Sequence, residues 1–400
     1  MFSNIHKIYL INFLHHLVFF TAISVPFFVE WGGLNYTQIL ILQAWFMIWV
    51  VIFEVPTGMI ADKIGRRSSL ALSGIFTGIA VLVYASMPNF YVFMLGEFIW
   101  AIGISFLSGS DEAIIYDTLK EDKKEKKARY IFSNFNIAGN LGIIIAMPVG
   151  SAIAGMMLWP YPNNLVLPML LTAFPLFLVI LVALSLKESK RTRPQKNYFQ
   201  LAKNGMKYLA NHKILRALAI DMTLITVMTQ FIFWLYQPLL GSVGVDIGFY
   251  GFVGAGANIA GVILLFNIKR IEKLFSIKKL FFLTAIIPGI MYVFAGLYTN
   301  VWTVIIATLS IMGIAFLRLT LFQDYMNRFI KSRERATVLS SIYMFEGLAV
   351  AAAYPLVGAL MDWSLTYTLL ILGILTIIFA LTTGVKERLL KWTNEKRFNT

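Results

Sequence analysis

Nine ionisable side chains lie within long apolar segments of the sequence. An ionised group at the centre of a bilayer costs at least about 2.5–3.5 kcal/mol on insertion scales, so each needs a partner, a wet cavity or a neutral protonation state. Six are acids, one is an arginine and two are histidines: Glu54, Glu97, Asp111, Glu112, Asp221, Glu346, Arg318, His15 and His16. Carboxyl groups in a low-dielectric site can bind and release protons near neutral pH. The acidic excess therefore favours proton coupling, and cationic or neutral substrates over anions.

Arg318 needs a carboxylate close by, because a buried arginine without one is very costly. It follows Asp111 by 207 residues, an offset that recurs elsewhere in the chain. We predict an ion pair between Arg318 and an acid, with Asp111 as the pseudo-symmetric candidate and Glu112 and Glu346 as competitors. The pair either breaks and forms during a functional cycle or is a static tie between helices.

Twelve apolar segments, each long enough to cross a bilayer as a helix of about 20 residues, must position these groups. Of the 400 residues, 58% are hydrophobic and 14% charged. We expect helices, because hydrocarbon leaves the backbone of any other unclosed form unsatisfied. The predicted spans are residues 8–29, 37–60, 69–87, 90–118, 130–157, 164–186, 214–240, 247–268, 279–298, 301–326, 336–360 and 365–385. The fold class is thus an all-α polytopic membrane protein.

The basic residues are segregated along the chain. Of 34 Lys and Arg residues, 33 fall in seven short stretches at alternate ends of the spans. The turns at the other ends carry none, which by the positive-inside rule predicts that both termini are cytoplasmic. The basic residues behind the net charge of +14 then set the orientation and contact anionic lipid head groups, and they do not indicate a nucleic-acid partner. We expect a monomer in a bacterial cytoplasmic membrane.

The two halves of the chain show a weak repeat. At the same offset of 207 residues, Ser133 aligns with Ser340 and Pro148 with Pro355. Internal repeats of six helices are typical of secondary transporters, although chance similarity between apolar helices is the alternative. We divide the chain into an N-terminal bundle, a basic linker, a C-terminal bundle and a tail: residues 1–186, 187–213, 214–385 and 386–400. The linker is either solvated or carries an amphipathic helix near residues 198–209.

The loop between the second and third spans contains the text GMIADKIGRR at residues 58–67. Its Gly58, Asp62, Gly65, Arg66 and Arg67 resemble, in type and spacing, the signature loop of the major facilitator superfamily. The resemblance implies twelve helices in two pseudo-symmetric six-helix bundles, and alternating access between them.

The resemblance also implies a latch on the cytoplasmic side. Gly65 permits a tight turn because glycine readily takes positive φ. Asp62 would face the positive N-terminal end of the eleventh span, and Arg66 and Arg67 would bridge to Asp117 on the fourth span. The alternative is a basic anchor with no role in gating.

In this family the first, fourth, seventh and tenth spans line the central cavity. The resemblance therefore places His15, Glu97, Asp111, Glu112, Asp221 and Arg318 on cavity helices. Glu54 and Glu346 are on flanking spans, and Glu54 is either a proton site or a fastening of span two. Of the adjacent His15 and His16, at most one faces the cavity, and a hydrogen bond within the bundle is the alternative.

Two motifs depart from those of related antiporters. In the fourth-span text GEFIWAIG, Glu97 replaces the usual Arg, a cation linked in relatives to proton coupling. The fifth span keeps the small residues Gly139, Gly142, Gly150 and Gly155 without the antiporter spacing. These departures put classical drug–proton antiport in question without excluding it.

The sequence favours a transporter over an enzyme. It has no phosphate loop, no H-E-x-x-H and no G-x-S-x-G motif, and no cysteine for thiol or disulfide chemistry. We expect proton-coupled export of hydrophobic or cationic small molecules, with the proton gradient as the energy source and without cofactor or metal. The alternatives are coupled uptake of a metabolite, and lipid export or flipping.

Overall fold

The computed structural model describes residues 4–188, 205, 207–327, 329–330 and 335–382, and these are almost entirely helical. Within this part of the chain, twelve helical stretches are long and apolar enough to cross a membrane. The predicted fold class and span count are therefore confirmed. Large apolar side chains remain on the outer surface, among them Leu181 (66% exposed), as expected for helices solvated by lipid.

The first compact unit comprises Met1–Gln195 together with Val245–Ala255. Its helices, in chain order, are α1 (Asn4–His15), α2 (Ser24–Pro26), α3 (Tyr36–Ile64), α4 (Arg66–Ser86), α5 (Phe90–Leu107), α6 (Ser110–Glu121), α7 (Ala128–Gly155) and α8 (Val166–Leu184). An asparagine caps the N-terminus of two of them. Asn35 and Gln38 form a reciprocal capping box on α3, and the Asn89 side chain accepts hydrogen bonds from the N–H groups of Tyr91 and Val92 in the first turn of α5. Such caps satisfy amides that have no partner within the helix.

The second unit comprises Lys196–Gly244 and Gly256–Thr400. Its helices are α9 (Lys213–Gln230), α10 (Ile232–Ser242), α11 (Tyr250–Phe266, whose start belongs to the first unit), α12 (Ile268–Leu274), α13 (Ile277–Leu297), α14 (Val301–Asn327), α15 (Arg335–Trp363) and α16 (Leu365–Thr382). Leu209, in the predicted linker, belongs to the buried apolar cluster of this unit that includes Leu218 and Met326. Leu209 thus anchors this end of the linker to the second unit, whereas Lys207 and Ala210 on either side of it are exposed. Residues 207–209 of the predicted amphipathic segment are helical, and residues 198–204 and 206 lie outside the described residues.

Three of the spans are broken rather than continuous. The first span stops at His15 and resumes as a 3₁₀ turn at Phe19–Ile23. The fourth breaks at Ser108 and Gly109, where Gly109 has φ of +73°, a conformation that favours glycine. The seventh breaks at Phe231, between α9 and α10.

Glycines allow α7 to pack against backbone. A Cβ atom built on Gly150 would lie 1.8 Å from the Phe19 carbonyl oxygen, and one on Gly142 would lie 2.6 Å from the Phe13 carbonyl oxygen. Only glycine permits such close approach, as is common where membrane helices meet. The small residues of the fifth span thus have a packing role that does not depend on antiporter spacing.

The beginning of the eighth span also packs on α7, which explains why residues 245–255 group with the first unit. A Cβ atom on Gly251 would lie 1.9 Å from the Met147 carbonyl oxygen. The Ser151 hydroxyl donates to the Gly248 carbonyl at 3.0 Å.

Candidate functional site

The signature loop has the geometry that its sequence predicts. Gly65 separates α3 from α4 with φ of 100°, which confirms the predicted tight turn. Arg66 Nη1 donates to Asp117 Oδ2 on α6, with side chains 31% and 24% exposed, which confirms the Arg66 part of the predicted bridge. Among the described residues, Asp117 pairs with Arg66 and not with Arg67. Gly58 lies within α3, and Asp62 lies near its end on an exposed surface. The side chains at 335–337, which begin the eleventh span, lie outside the described residues, so the role of Asp62 stays a prediction.

One acid of this region was not predicted. The Glu188 carboxylate accepts hydrogen bonds from the backbone N–H groups of Arg66 and Arg67, the first two residues of α4. Its position just after the sixth span, in a strongly basic stretch, was the only sequence signal. A hydrophobicity pattern does not show that this stretch lies beside the second loop.

Arg318 forms the predicted ion pair, but with a different acid. Its Nη2 donates to Asp221 Oδ2 at 2.5 Å, and both side chains are at most 4% exposed. Its Nη1 donates to the Phe281 carbonyl at 2.8 Å and to Thr284 Oγ1 at 2.9 Å. The guanidinium also lies over the Phe322 ring, 4.6 Å from its centroid.

The expected partners of Arg318, Asp111 first and then Glu112 or Glu346, were therefore wrong. The repeat offset relates equivalent positions in the two halves, but it does not say which helices are neighbours within one half. In the second unit α9 packs on α14, which brings Asp221 to Arg318.

Glu97 is buried between three spans of the first unit. It is 5% exposed, and its Oε1 accepts a hydrogen bond of 2.7 Å from Gln43 Nε2 on α3. The Tyr84 side chain on α4 also lies close to it. Within the described residues its partners are thus an amide and a phenol, neither of which is charged. Glu97 lies about 10 Å along α5 from the end opposite the basic loops, at 1.5 Å per residue.

Both histidines of the first span hydrogen-bond within the first unit. His15 Nε2 lies 2.8 Å from Ser73 Oγ, and His15 is buried. His16 Nδ1 lies 2.8 Å from the Asn12 carbonyl oxygen. These contacts match the interpretation of hydrogen bonding within the bundle.

Asp111 and Glu112 do not lie at mid-membrane. The 18 residues of α5 rise about 27 Å, which is most of a hydrocarbon core of about 30 Å. Both acids follow the break, on the first turn of α6, where the Glu112 N–H donates to Asp111 Oδ1 at 2.7 Å. Carboxylates are favourable at a helix N-terminus. The expectation of two acids deep in the bilayer is therefore corrected: they lie near the basic end.

The remaining acids are on α3 and α15. Glu54 is exposed on the surface of α3. Glu346 is partly buried on α15, and its Oε2 atom is buried without a hydrogen-bond partner in the described residues.

A polar pair at the break of the seventh span was missed. Gln230 Nε2, at the end of α9, donates to the Tyr354 hydroxyl on α15 at 2.7 Å. Phe231, at the break itself, packs edge-on against the Tyr354 ring. In the sequence Gln230 and Tyr354 are 124 residues apart on different spans, and nothing in it shows the kink that brings them together.

Comparison with known proteins agrees with this architecture. A family model described as Major Facilitator Superfamily matches residues 8–241. An uncharacterized MFS-type transporter of Bacillus subtilis (strain 168), YxaM, is 24% identical over 247 residues. That match covers 60% of this chain and 59% of the relative, so it spans less than two thirds of the relative's length.

Solved structures show the same fold over almost the full length. A mutant of the nucleoside transporter NupG matches with a TM-score of 0.80 at 16% identity, covering 95% of this chain and 99% of that one. A bacterial homologue of the human lysosomal transporter Spinster, inward-facing and unoccupied, matches with a TM-score of 0.73 at 15% identity. That match covers 95% of this chain and 94% of that one. A mutant of the peptide transporter POT, in complex with sulfate, matches with a TM-score of 0.75 at 13% identity. That match covers 95% of this chain and 93% of that one.

Proposed function

Because the chain belongs to the major facilitator superfamily, and is therefore a membrane transporter rather than an enzyme, we propose that it exports hydrophobic or cationic small molecules in exchange for protons. Export would proceed by alternating access, with the proton gradient as the only energy source. We also propose that the protein is a monomer with both termini in the cytoplasm of a bacterial cell.

The setting of Glu97 supports proton coupling. A carboxyl group surrounded by hydrocarbon and uncharged partners is stable as the neutral acid. When the proton leaves, the Gln43 amide remains as a donor to the carboxylate. The apolar surroundings thus favour the neutral acid and the Gln43 amide stabilises the carboxylate, which suits a group that must load and release a proton.

The depth of Glu97 fits the direction of coupling. If the basic loops are cytoplasmic, Glu97 lies about 10 Å from the outer end of α5. A proton would reach it from outside, where the proton motive force supplies it. Proton entry would then accompany substrate exit. On the opposite side, the Arg66–Asp117 pair and Asp62 would form the latch that closes the cytoplasmic end.

A second candidate is coupled uptake of a polar metabolite. The Gln230–Tyr354 pair at the break in the seventh span supports it, because an amide and a phenol offer hydrogen bonds to a polar substrate. Transport of nucleosides and peptides by proteins of the same fold is in keeping with this candidate.

The two candidates can be separated in liposomes that contain purified protein and a pH-sensitive dye. Ethidium, a nucleoside and a dipeptide would be added outside in turn, with no imposed gradient. Export by antiport predicts that ethidium entry drives protons out of the lumen, so that the lumen becomes alkaline. Lumenal acidification with the nucleoside or dipeptide would instead support uptake by symport. Substrate entry without any pH change would contradict proton coupling.

A further inference from the structure

Glu188 caps a helix to which it is not adjacent in sequence. Its Oε1 accepts the Arg66 N–H at 2.9 Å, and its Oε2 accepts the Arg67 N–H at 3.1 Å. The first amides of any helix lack partners within that helix. The residue that precedes α4 is Gly65, which has no side chain to cap them. A carboxylate from the end of the sixth span takes that role, with a charge of the sign that a helix N-terminus favours.

The same short segment is fixed on its other side to the start of α1. The Asn4 side chain donates to the Lys187 carbonyl at 2.9 Å and accepts the Lys187 N–H at 3.1 Å. Lys7 Nζ donates to the Ser185 carbonyl at 2.5 Å. Residues 185–188 thus hold the beginnings of two spans, and Glu188 is the contact to the second of them.

The cap lies next to the ion pair of the signature loop. Arg66 uses its backbone N–H for Glu188 and its guanidinium for Asp117. A first turn of α4 that frays would release the backbone of Arg66, and its side chain would then no longer be aimed at α6. Glu188 therefore acts on the ion pair through the backbone of the residue that forms it.

We propose that Glu188 is a positioning residue of the gating motif, which sets the first turn of α4 so that Arg66 reaches Asp117. The proposal rests on the gating role proposed above for that motif. Because Glu188 is the second residue of the predicted linker (187–213), the start of the connection between the two halves becomes part of the gate.

Hydrogen exchange tests the cap itself. In Glu188→Ala, we expect the backbone amides of residues 66–70 to exchange about threefold to tenfold faster, the range that corresponds to the loss of a helix cap. Glu188→Gln keeps one acceptor oxygen and should show a smaller increase. Glu125→Ala is the matched control, because Glu125 is another exposed acid of a basic loop. Unchanged exchange in Glu188→Ala would overturn the proposal.

Spin-label distances test positioning, and they require no substrate. The chain has no cysteine, so Ser68→Cys on α4 and Lys120→Cys on α6 can be labelled specifically. In Glu188→Ala, we expect the distance distribution to broaden or gain a second peak, and in Glu188→Gln to be partly restored. Faster exchange with an unchanged distance would mean a cap with no positioning role, and would overturn the proposal.

A double-mutant cycle separates this proposal from that of the latch. If Glu188 acts through the ion pair, adding Glu188→Ala to Asp117→Asn should broaden the α4–α6 distance no further. An additive effect would contradict action through the pair. If Asp117→Asn alone leaves the distance unchanged, the ion pair does not hold α6 and the proposed latch fails, while the exchange result still decides the cap.

Discussion

Arg318 and Asp221 show how a buried charge is accommodated in this fold. The pair lies entirely within the second unit, and Arg318 donates further to Phe281 and Thr284 on α13. Alternating access is largely a rocking of one bundle against the other, so contacts within one bundle persist through the cycle. Of the two roles that the sequence left open, we therefore favour the static tie, which joins α9, α13 and α14.

The static tie makes a specific prediction at the residue scale. Arg318→Ala should destabilise the protein by about 3–5 kcal/mol, because it leaves the Asp221 carboxylate buried without a cation. Adding Asp221→Asn should recover most of the loss, as measured by thermal unfolding in detergent. The control is Arg318→Ala with Asp111→Asn, which should recover nothing. Equal rescue by both second changes would contradict the assignment.

Sequence reasoning identified the residues of the candidate site better than their partners. That Arg318 needs an acid, and Arg66 a bridge to Asp117, follows from the cost of unpaired charge and from the signature loop. That Asp221 is the partner of Arg318, and that Gln43 hydrogen-bonds to Glu97, depends on which helices pack together and at which rotation. Apolar composition alone carries little of that information, because lipid-facing and buried positions are equally hydrophobic.

At the scale of helices, α7 packs so closely on the first span that only glycine fits at the points of contact. Gly150 faces the backbone at Phe19, where a Cβ atom has no room. The break in the first span occurs at this contact. Spans and their order were predictable from hydropathy, whereas the breaks were not, because a broken helix is as apolar as a continuous one.

Two glycine-to-alanine substitutions should have opposite effects. Gly150→Ala should destabilise the protein by about 1–3 kcal/mol through overpacking. Gly256→Ala, on α11, meets no atom closer than 3.9 Å and should stabilise it by about 0.5–1 kcal/mol, because alanine is the better helix former. Thermal unfolding of both variants would test this. A stable Gly150→Ala protein would show that α7 and the first span are not in backbone contact.

At the scale of the whole molecule, the distribution of basic residues predicts the orientation in the membrane. The loop at Glu125 belongs to a basic stretch, whereas the loop at Tyr161 has no basic residue. With no native cysteine, Glu125→Cys should react with a membrane-impermeant maleimide only in broken cells, and Tyr161→Cys in intact ones. The reverse pattern would place the termini outside and would invert the proposed direction of proton entry.

Proton coupling through Glu97 is the central claim about the whole transporter. Glu97→Gln keeps the shape of the side chain and an oxygen that can accept from Gln43, but it cannot carry a proton. Coupling should therefore be lost while the two bundles still exchange between conformations. Glu125→Gln, a change of the same kind on an exposed loop, is the control.

The most direct test is to measure substrate counterflow and proton flux together in liposomes, for native protein, Glu97→Gln and Glu125→Gln. We predict that Glu97→Gln retains counterflow but moves no protons and cannot concentrate substrate against a gradient, whereas Glu125→Gln behaves as the native protein. Proton flux in Glu97→Gln at the native ratio to substrate would contradict the account and would move the proton site to another acid.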